Sequence, residues 1–179
     1  LYQIWLLKRA RRIPDLPVFL DSPMAIDTTA IYQHHAREHR LSADDCRAMA
    51  HVATFCRTVD ESRALNGLSY PAIIISASGM ATGGRILHHL RNFGPDHRAS
   101  IVLAGFQAGG TRGARLAAGE RELRPPRERR VGRLLELARR VRVASMCTQR
   151  QACYLQRRKF VDCRSWLSAC IREVILGYM

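Results

Sequence analysis

The sequence predicts an α/β fold with a mostly parallel sheet flanked by helices, and three observations predict it. The runs 71–75 and 100–104 are of strand length, and the first is continuously apolar and rich in β-branched residues, as suits a strand covered on both faces. Each run leads into a glycine-rich stretch, and each stretch opens onto a helical pattern, over 85–90 and 111–118. A third unit lies earlier, with an apolar strand at 18–20, a loop at 21–25 and a helix at 26–39. Strands alternating with helices imply parallel βαβ units in an open, doubly wound sheet. In such sheets the loops after the strands gather at one edge, where ligands bind.

Taken in order, the first element is a helix over 1–10. It places Leu1, Ile4, Trp5 and Leu7 on one face and Lys8, Arg9, Arg11 and Arg12 at the far end, where cations suit the helix dipole. Pro14 stops it. Val18-Phe19-Leu20 is the first strand, and Asp21-Ser22-Pro23-Met24-Ala25 is the loop before the helix 26–39. Ser42, with Asp45 three residues on, is an Asp variant of the capping box and starts a helix that runs through Met49. The stretch 51–58 fits neither period, and 60–65 reads as a short helix closed by Asn66-Gly67.

At 179 residues the chain is long enough for one ordinary domain and too short for two full ones. Apolar residues at 47% and charged residues at 25% place it among soluble globular chains. Its longest apolar runs, 72–75 and 101–104, are far below the roughly 18 residues of a membrane span, so no membrane partner is expected. Cations after the first apolar residues reverse the charge order of a signal peptide, and the expected compartment is cytoplasmic. A chain that opens on Leu1 and enters a helix directly is expected to be part of something longer.

The formal charge of +14 favours a polyanionic partner. Its distribution divides the chain. Residues 1–124 carry 16 Lys and Arg against 11 Asp and Glu, a net of +5, and 125–179 carry 13 against 4, a net of +9. Cys46 and Cys56 lie in the first part, and Cys147, Cys153, Cys163 and Cys170 in the second. The expected organisation is an incomplete domain over 1–124 followed by a basic, Cys-rich tail over 125–179.

Glycine lets a backbone approach an anion closely, and the first N–H groups of a helix point at it. Ser78, Thr82, Gly83, Gly84 and Thr111 can therefore cradle a phosphate, with Arg85 as a charged partner. The plainer reading of the same glycines is tight turning and close helix packing. Neither loop has the spacing of a dinucleotide fingerprint or the Gly-Lys-Ser/Thr of a nucleoside-triphosphate loop. His34-His35 and His88-His89 are adjacent on helices and point about 100° apart, so neither pair makes a metal clamp. The tail cysteines lack zinc-ribbon spacing and read as incidental thiols. Ser78 has no evident histidine and carboxylate relay, and no catalytic residue is assigned.

Ile73-Ile74-Ile75-Ser76-Ala77-Ser78-Gly79-Met80-Ala81-Thr82-Gly83-Gly84-Arg85-Ile86-Leu87-His88-His89-Leu90 resembles the signature of the prokaryotic β-CASP ribonucleases. These belong to the metallo-β-lactamase superfamily with the pre-mRNA 3′-end-processing endonuclease. Ala104-Gly105-Phe106-Gln107-Ala108-Gly109-Gly110-Thr111-Arg112-Gly113 resembles the family's second glycine stretch, and Phe19-Leu20-Asp21-Ser22-Pro23-Met24-Ala25 and Val59-Asp60-Glu61-Ser62-Arg63-Ala64-Leu65-Asn66 fit in order. The resemblance covers 1 to about 124. It implies a Rossmann-like β-CASP domain, a cap that grips single-stranded RNA over a two-zinc hydrolase site. On it, Ser76, Ser78, Gly79, Thr82, Gly83, Gly84, Arg85, Gln107, Gly110 and Thr111 are the expected phosphate-binding set. Asp21, Ser22 and Met24 are the expected loop facing the active site, although capping or turning is the plainer role for Asp21 alone.

The sequence departs from that family in two ways. The metallo-β-lactamase domain carries His-x-His-x-Asp-His and further His and Asp ligands, and no such motif occurs in these residues. Two zinc ions are thus expected in the intact family member and none in this chain, whose expected partners are RNA and the missing metallo-β-lactamase domain. After 119–124 the family continues with a strand and a His-bearing motif, whereas here Pro125-Pro126-Arg127 begins different sequence. The tail is expected to be a product of a shifted reading frame or another divergent end, the alternative being an appended RNA-binding basic helix over 131–143. The expected function is the RNA-binding clamp of a metal-dependent RNA-processing nuclease, inactive alone; the alternative is a non-catalytic RNA-binding or nucleotide-binding α/β module.

Overall fold

The structure, a computed structural model, describes residues 1–123 throughout and the backbone of 135–136 and 142–145. Helix α1 (Tyr2–Arg9) leads to strand β1 (Val18–Asp21), helix α2 (Pro23–His34), helix α3 (Ala43–His51) and the short strand β2 (Thr54–Phe55). Helix α4 (Val59–Ala64) and a 3-10 turn (Leu65–Gly67) precede strand β3 (Ile73–Ser76) and helix α5 (Ile86–Phe93). Strand β4 (Ser100–Leu103), helix α6 (Arg112–Ala117) and strands β5 (Glu122–Leu123), β6 (Leu135–Glu136) and β7 (Arg142–Ser145) complete the described elements. No helix of the described residues is long and apolar enough to cross a membrane.

The predicted architecture is present: β2, β1 and β3 form a parallel sheet in that order, with Phe19 beside Thr54 and Ile74. Alternation along β1 and β3 sends Val18, Ile73 and Ile75 to one face, where they pack with Ile4, Leu7 and Ile13 below α1. Asp21 points to the opposite face, toward α5. Helices therefore cover both faces. A second apolar cluster joins Ala81, Leu90, Leu103, Leu116 and Leu123, packing α5, β4, α6 and β5 together.

Local chemistry moves several boundaries. Helix α2 starts at Pro23, not at 26, because the Ser22 hydroxyl accepts from the Ala25 N–H at 3.3 Å and Pro23 occupies the first helical position. It ends at His34 rather than 39, since the chain then turns back so that His39 stacks on Tyr32 with 4.5 Å between ring centroids. Ser42 caps α3 as predicted, accepting from the Asp45 N–H at 3.0 Å. The unassigned stretch 51–58 contains β2 and ends in a full capping box, in which Thr58 accepts from the Glu61 N–H at 3.1 Å and Glu61 accepts from the Thr58 N–H at 2.8 Å.

Two expectations change. The run ending in β3 is partly rather than fully buried, because β3 pairs only with β1 among the described residues and forms the edge of that sheet. The alternative of one basic helix over 131–143 is overturned by β6 and β7. β6 pairs antiparallel with β5, and β7 runs parallel to β4 with Ile101 beside Val143. Pairing satisfies the backbone groups along β4, and this outweighs the local helical periodicity. The rest of the tail, including its four cysteines, lies outside the described residues.

Candidate nucleic-acid interface

At the carboxyl end of β1 the Asp21 side chain is completely enclosed, at 0% exposure. Burying a carboxylate is costly unless its oxygens are paired. Here the Ser62 hydroxyl donates to Oδ2 at 2.7 Å, His89 Nε2 donates to the same oxygen at 2.6 Å, and Arg85 Nη1 donates to Oδ1 at 2.7 Å. Burial alone raises the pKa of Asp21, but the bonds from Ser62, His89 and Arg85 outweigh it and hold the carboxyl below its ordinary value. The same guanidinium reaches further, with Nη1 donating to the Cys56 carbonyl at 2.9 Å and Nη2 to the Arg57 carbonyl at 2.7 Å. One carboxylate and one arginine thus join the ends of β1 and β2 to α4 and the start of α5. Burial, followed by the nearby charge of Asp21, raises the Cys56 thiol pKa and keeps that thiol protonated.

The two glycine loops, 77–85 and 104–111, are clasped to one another. Gln107 Nε2 donates to the carbonyls of Gly79 and Gly105, each at 3.0 Å. The Gly113 N–H donates to the Met80 carbonyl at 2.9 Å, and Arg112 Nη1 to the Ala81 carbonyl at 2.9 Å and the Thr82 carbonyl at 3.2 Å. Gly113 must lack a side chain: a Cβ there would collide with the Gln107 amide oxygen and stand 3.0 Å from the Met80 carbonyl oxygen. Gly84 has φ +76°, and its Cβ would meet the Ala77 carbonyl oxygen at 3.0 Å.

This clasp divides the predicted phosphate-binding set. Four side chains are occupied within the protein. The Ser76 hydroxyl donates to the Asp21 carbonyl at 3.2 Å, Arg85 is held by Asp21, Gln107 spans the loops, and the Thr111 hydroxyl donates to the Ala108 carbonyl at 2.7 Å while capping α6. Arg85 is therefore a strap rather than a charge offered to a ligand. The first turn of α5 is also less free than the sequence suggests, since Ile86 N–H donates to the Ala77 carbonyl at 3.1 Å and Leu87 N–H to the Gly84 carbonyl at 3.3 Å.

The remaining residues form an open face. Ser78 and Thr82 hydroxyls lie 3.2 Å apart at the surface. Added Cβ atoms at Gly79, Gly83, Gly109 and Gly110 would meet nothing within 4 Å. The N–H groups of Gly79, Met80, Thr82, Gly83 and Gly84 donate to no other described residue. Successive unpaired N–H groups make an anion-binding concavity.

The loop over 21–25 behaves differently from its expectation. Asp21 is the buried hub just described and Ser22 is the buried cap of α2, so of the three expected residues only Met24 is exposed, at 71%. Sequence reasoning left out Ser62, His89, Arg112 and Phe106. Only the spacing of Arg85 and His89, one helical turn apart on α5, carries a local signal for the hub.

Comparison with known proteins agrees with this architecture. The family model described as Beta-Casp domain matches residues 1–116. The chain is similar to Ribonuclease TTHA0252 of Thermus thermophilus, 34% identical over 134 residues that cover 71% of this chain and 30% of that protein. It is similar to the transcription termination factor FttA of Methanosarcina mazei, 31% identical over 121 residues, covering 62% of this chain and 18% of the factor. An RNase J-like protein of Methanocaldococcus jannaschii is 29% identical over 122 residues, covering 65% of this chain and 27% of the relative. The chain spans less than a third of the length of each of these relatives.

Proposed function

The chain belongs to the Beta-Casp family, and on that premise we propose that it is the RNA-gripping part of a metal-dependent RNA-processing nuclease. Relatives named as ribonucleases support the nuclease class. The observation that carries the binding role is the open face of the first glycine loop. There the N–H groups of Gly79, Met80, Thr82, Gly83 and Gly84 have no acceptor among the described residues, and the exposed Ser78–Thr82 hydroxyl pair, in which one hydroxyl donates to the other, keeps one O–H to donate to a ligand. A phosphate of single-stranded RNA supplies that acceptor, and the formal charge of +14 draws the strand in.

Ribonucleases of this family are metal-dependent in general, and the proposal places two zinc ions in a metallo-β-lactamase domain that completes the nuclease and hydrolyses the phosphodiester. Among the described residues no three His, Cys, Asp or Glu side chains converge so as to hold a metal ion. Asp21 and His89 are bonded to one another at the hub. Bonded to each other and enclosed, they serve the hub rather than a zinc ion, and the proposed work of holding and orienting a phosphate falls to the first glycine loop.

The test is fluorescence anisotropy of the purified 179-residue chain with labelled single-stranded RNA over a range of salt. Weak binding is expected, with log K falling by about 0.7 per phosphate neutralised for each unit of log salt. Ser78→Ala with Thr82→Ala should cost about 0.5–1.5 kcal/mol per hydroxyl. Binding indifferent to that pair would remove the loop from the interface. RNA cleavage by the chain alone would overturn the division of labour.

A further inference from the structure

Phe106 is a large aromatic residue left 61% exposed in the second glycine loop. Buried rings are the rule because an aromatic side chain removes much apolar area from water. The loop that carries it is tied to the first glycine loop. Gln107, the next residue, ties the Gly105 carbonyl before it and the Gly79 carbonyl of the first loop through one amide nitrogen, at 3.0 Å each. The carbonyl before Phe106 and the side chain after it are thereby joined to the first loop, whose N–H groups at 79, 80 and 82–84 have no acceptor among the described residues. Further along the same loop, added Cβ atoms at Gly109 and Gly110 would meet nothing within 4 Å, so the loop around the exposed ring is open.

Resting on the proposed phosphate site, we infer that Phe106 is a stacking platform for an unpaired nucleobase of the strand whose phosphate the first loop holds. Every base has a π-face, so stacking tolerates any sequence while requiring that the base be free of a duplex. An exposed aromatic on the loop clasped to a phosphate cradle thus selects single strands without reading sequence.

Anisotropy titrations with a short single-stranded RNA, the same strand made abasic, and its duplex test the inference on the full chain. Phe106→Ala should weaken binding of the ordinary strand by about 5- to 150-fold and leave the abasic strand and the duplex unchanged. Phe106→Trp should keep the affinity, and its added fluorescence should be quenched by the ordinary strand alone. Unfolding midpoints should not move, because the replaced ring is exposed. If wild type binds the ordinary strand and Phe106→Ala binds it equally well, the stacking inference falls and the phosphate site stands. If wild type binds neither the ordinary nor the abasic strand, both fall.

Discussion

His89 Nε2 and Asp21 Oδ2 lie 2.6 Å apart across 68 residues of sequence, in a pair that is almost wholly enclosed. With Asp21 ionised, Nε2 carries the donated proton, while the buried Nδ1 has no partner among the described residues. The pair holds α5 against the end of β1, and the same carboxylate holds Arg85. Removing it strands a partly buried guanidinium and two donors. Asp21→Ala should therefore destabilise the fold by about 3–5 kcal/mol in urea denaturation, the cost of breaking rather than replacing a buried pair. A loss under about 1 kcal/mol would show that the hub is not a stabilising element.

Acid should reveal the same carboxylate. Asp21 has a pKa below its ordinary 3.8 in the folded chain, so its ionised form contributes stability that is fully present above the unfolded value and is lost as pH falls through the lowered one. Asp21→Asn removes that contribution at every pH. The gap in unfolding free energy between wild type and Asp21→Asn should hold steady from neutrality down to about pH 5 and close below about pH 4. Other lowered carboxylates among the described residues, Asp15, Glu61 and Asp96, are common to both proteins and cancel in the difference. A gap that stays constant through this acid range would remove Asp21 as its source.

The hub shows where sequence reading stops. Ser62, Arg85 and His89 stand 41, 64 and 68 residues from Asp21, and only the fold brings them together. Helix starts are different, because their chemistry is local. Ser42 was legible from its spacing to Asp45, whereas the Thr58–Glu61 capping box and the Ser22-Pro23 start carry the same kind of local signal at helices that were expected only from 60 and 26. The apolar run ending in β3 could reveal a strand but not that it forms the edge of its sheet among the described residues. Likewise, the glycines revealed a loop suited to an anion, yet not that Arg85, Gln107, Ser76 and Thr111 would be turned inward to build it. Those side chains find their partners in other elements or in the loop's own carbonyls. The pairing of β7 with β4 was hidden because helical periodicity over 131–143 says nothing of a strand edge waiting elsewhere.

Neighbouring glycines in the first loop should respond in opposite ways. At Gly84 the backbone has φ +76° and a Cβ would press on the Ala77 carbonyl oxygen at 3.0 Å, whereas at Gly83 a Cβ would meet nothing within 4 Å. Gly84→Ala should cost about 1–3 kcal/mol in urea denaturation, and Gly83→Ala should stay within about 0.5 kcal/mol. On RNA the order changes, since a methyl group at Gly83 stands on the open face. Gly83→Ala should weaken binding while leaving stability intact, a separation that anisotropy and denaturation measure on the same samples. Equal stability of the two variants would show that the turn at Gly84 does not depend on glycine.

Gln107 and Gly113 should prove energetically coupled. A methyl group at Gly113 collides first with the Gln107 amide, a movable side chain, and then stands 3.0 Å from the Met80 carbonyl oxygen, which is backbone. Gly113→Ala in the wild-type background therefore displaces the amide and breaks its bonds to Gly79 and Gly105. In a Gln107→Ala background that displacement costs nothing, and only the Met80 contact remains. The double-mutant cycle should give a coupling of about 0.5–3 kcal/mol, with Gly113→Ala less harmful when Gln107 is absent. Additive losses would mean that the two loops are not clasped through this amide. The residual cost of Gly113→Ala in the Gln107→Ala background then isolates the backbone contact, in which the Gly113 N–H itself donates to the Met80 carbonyl at 2.9 Å.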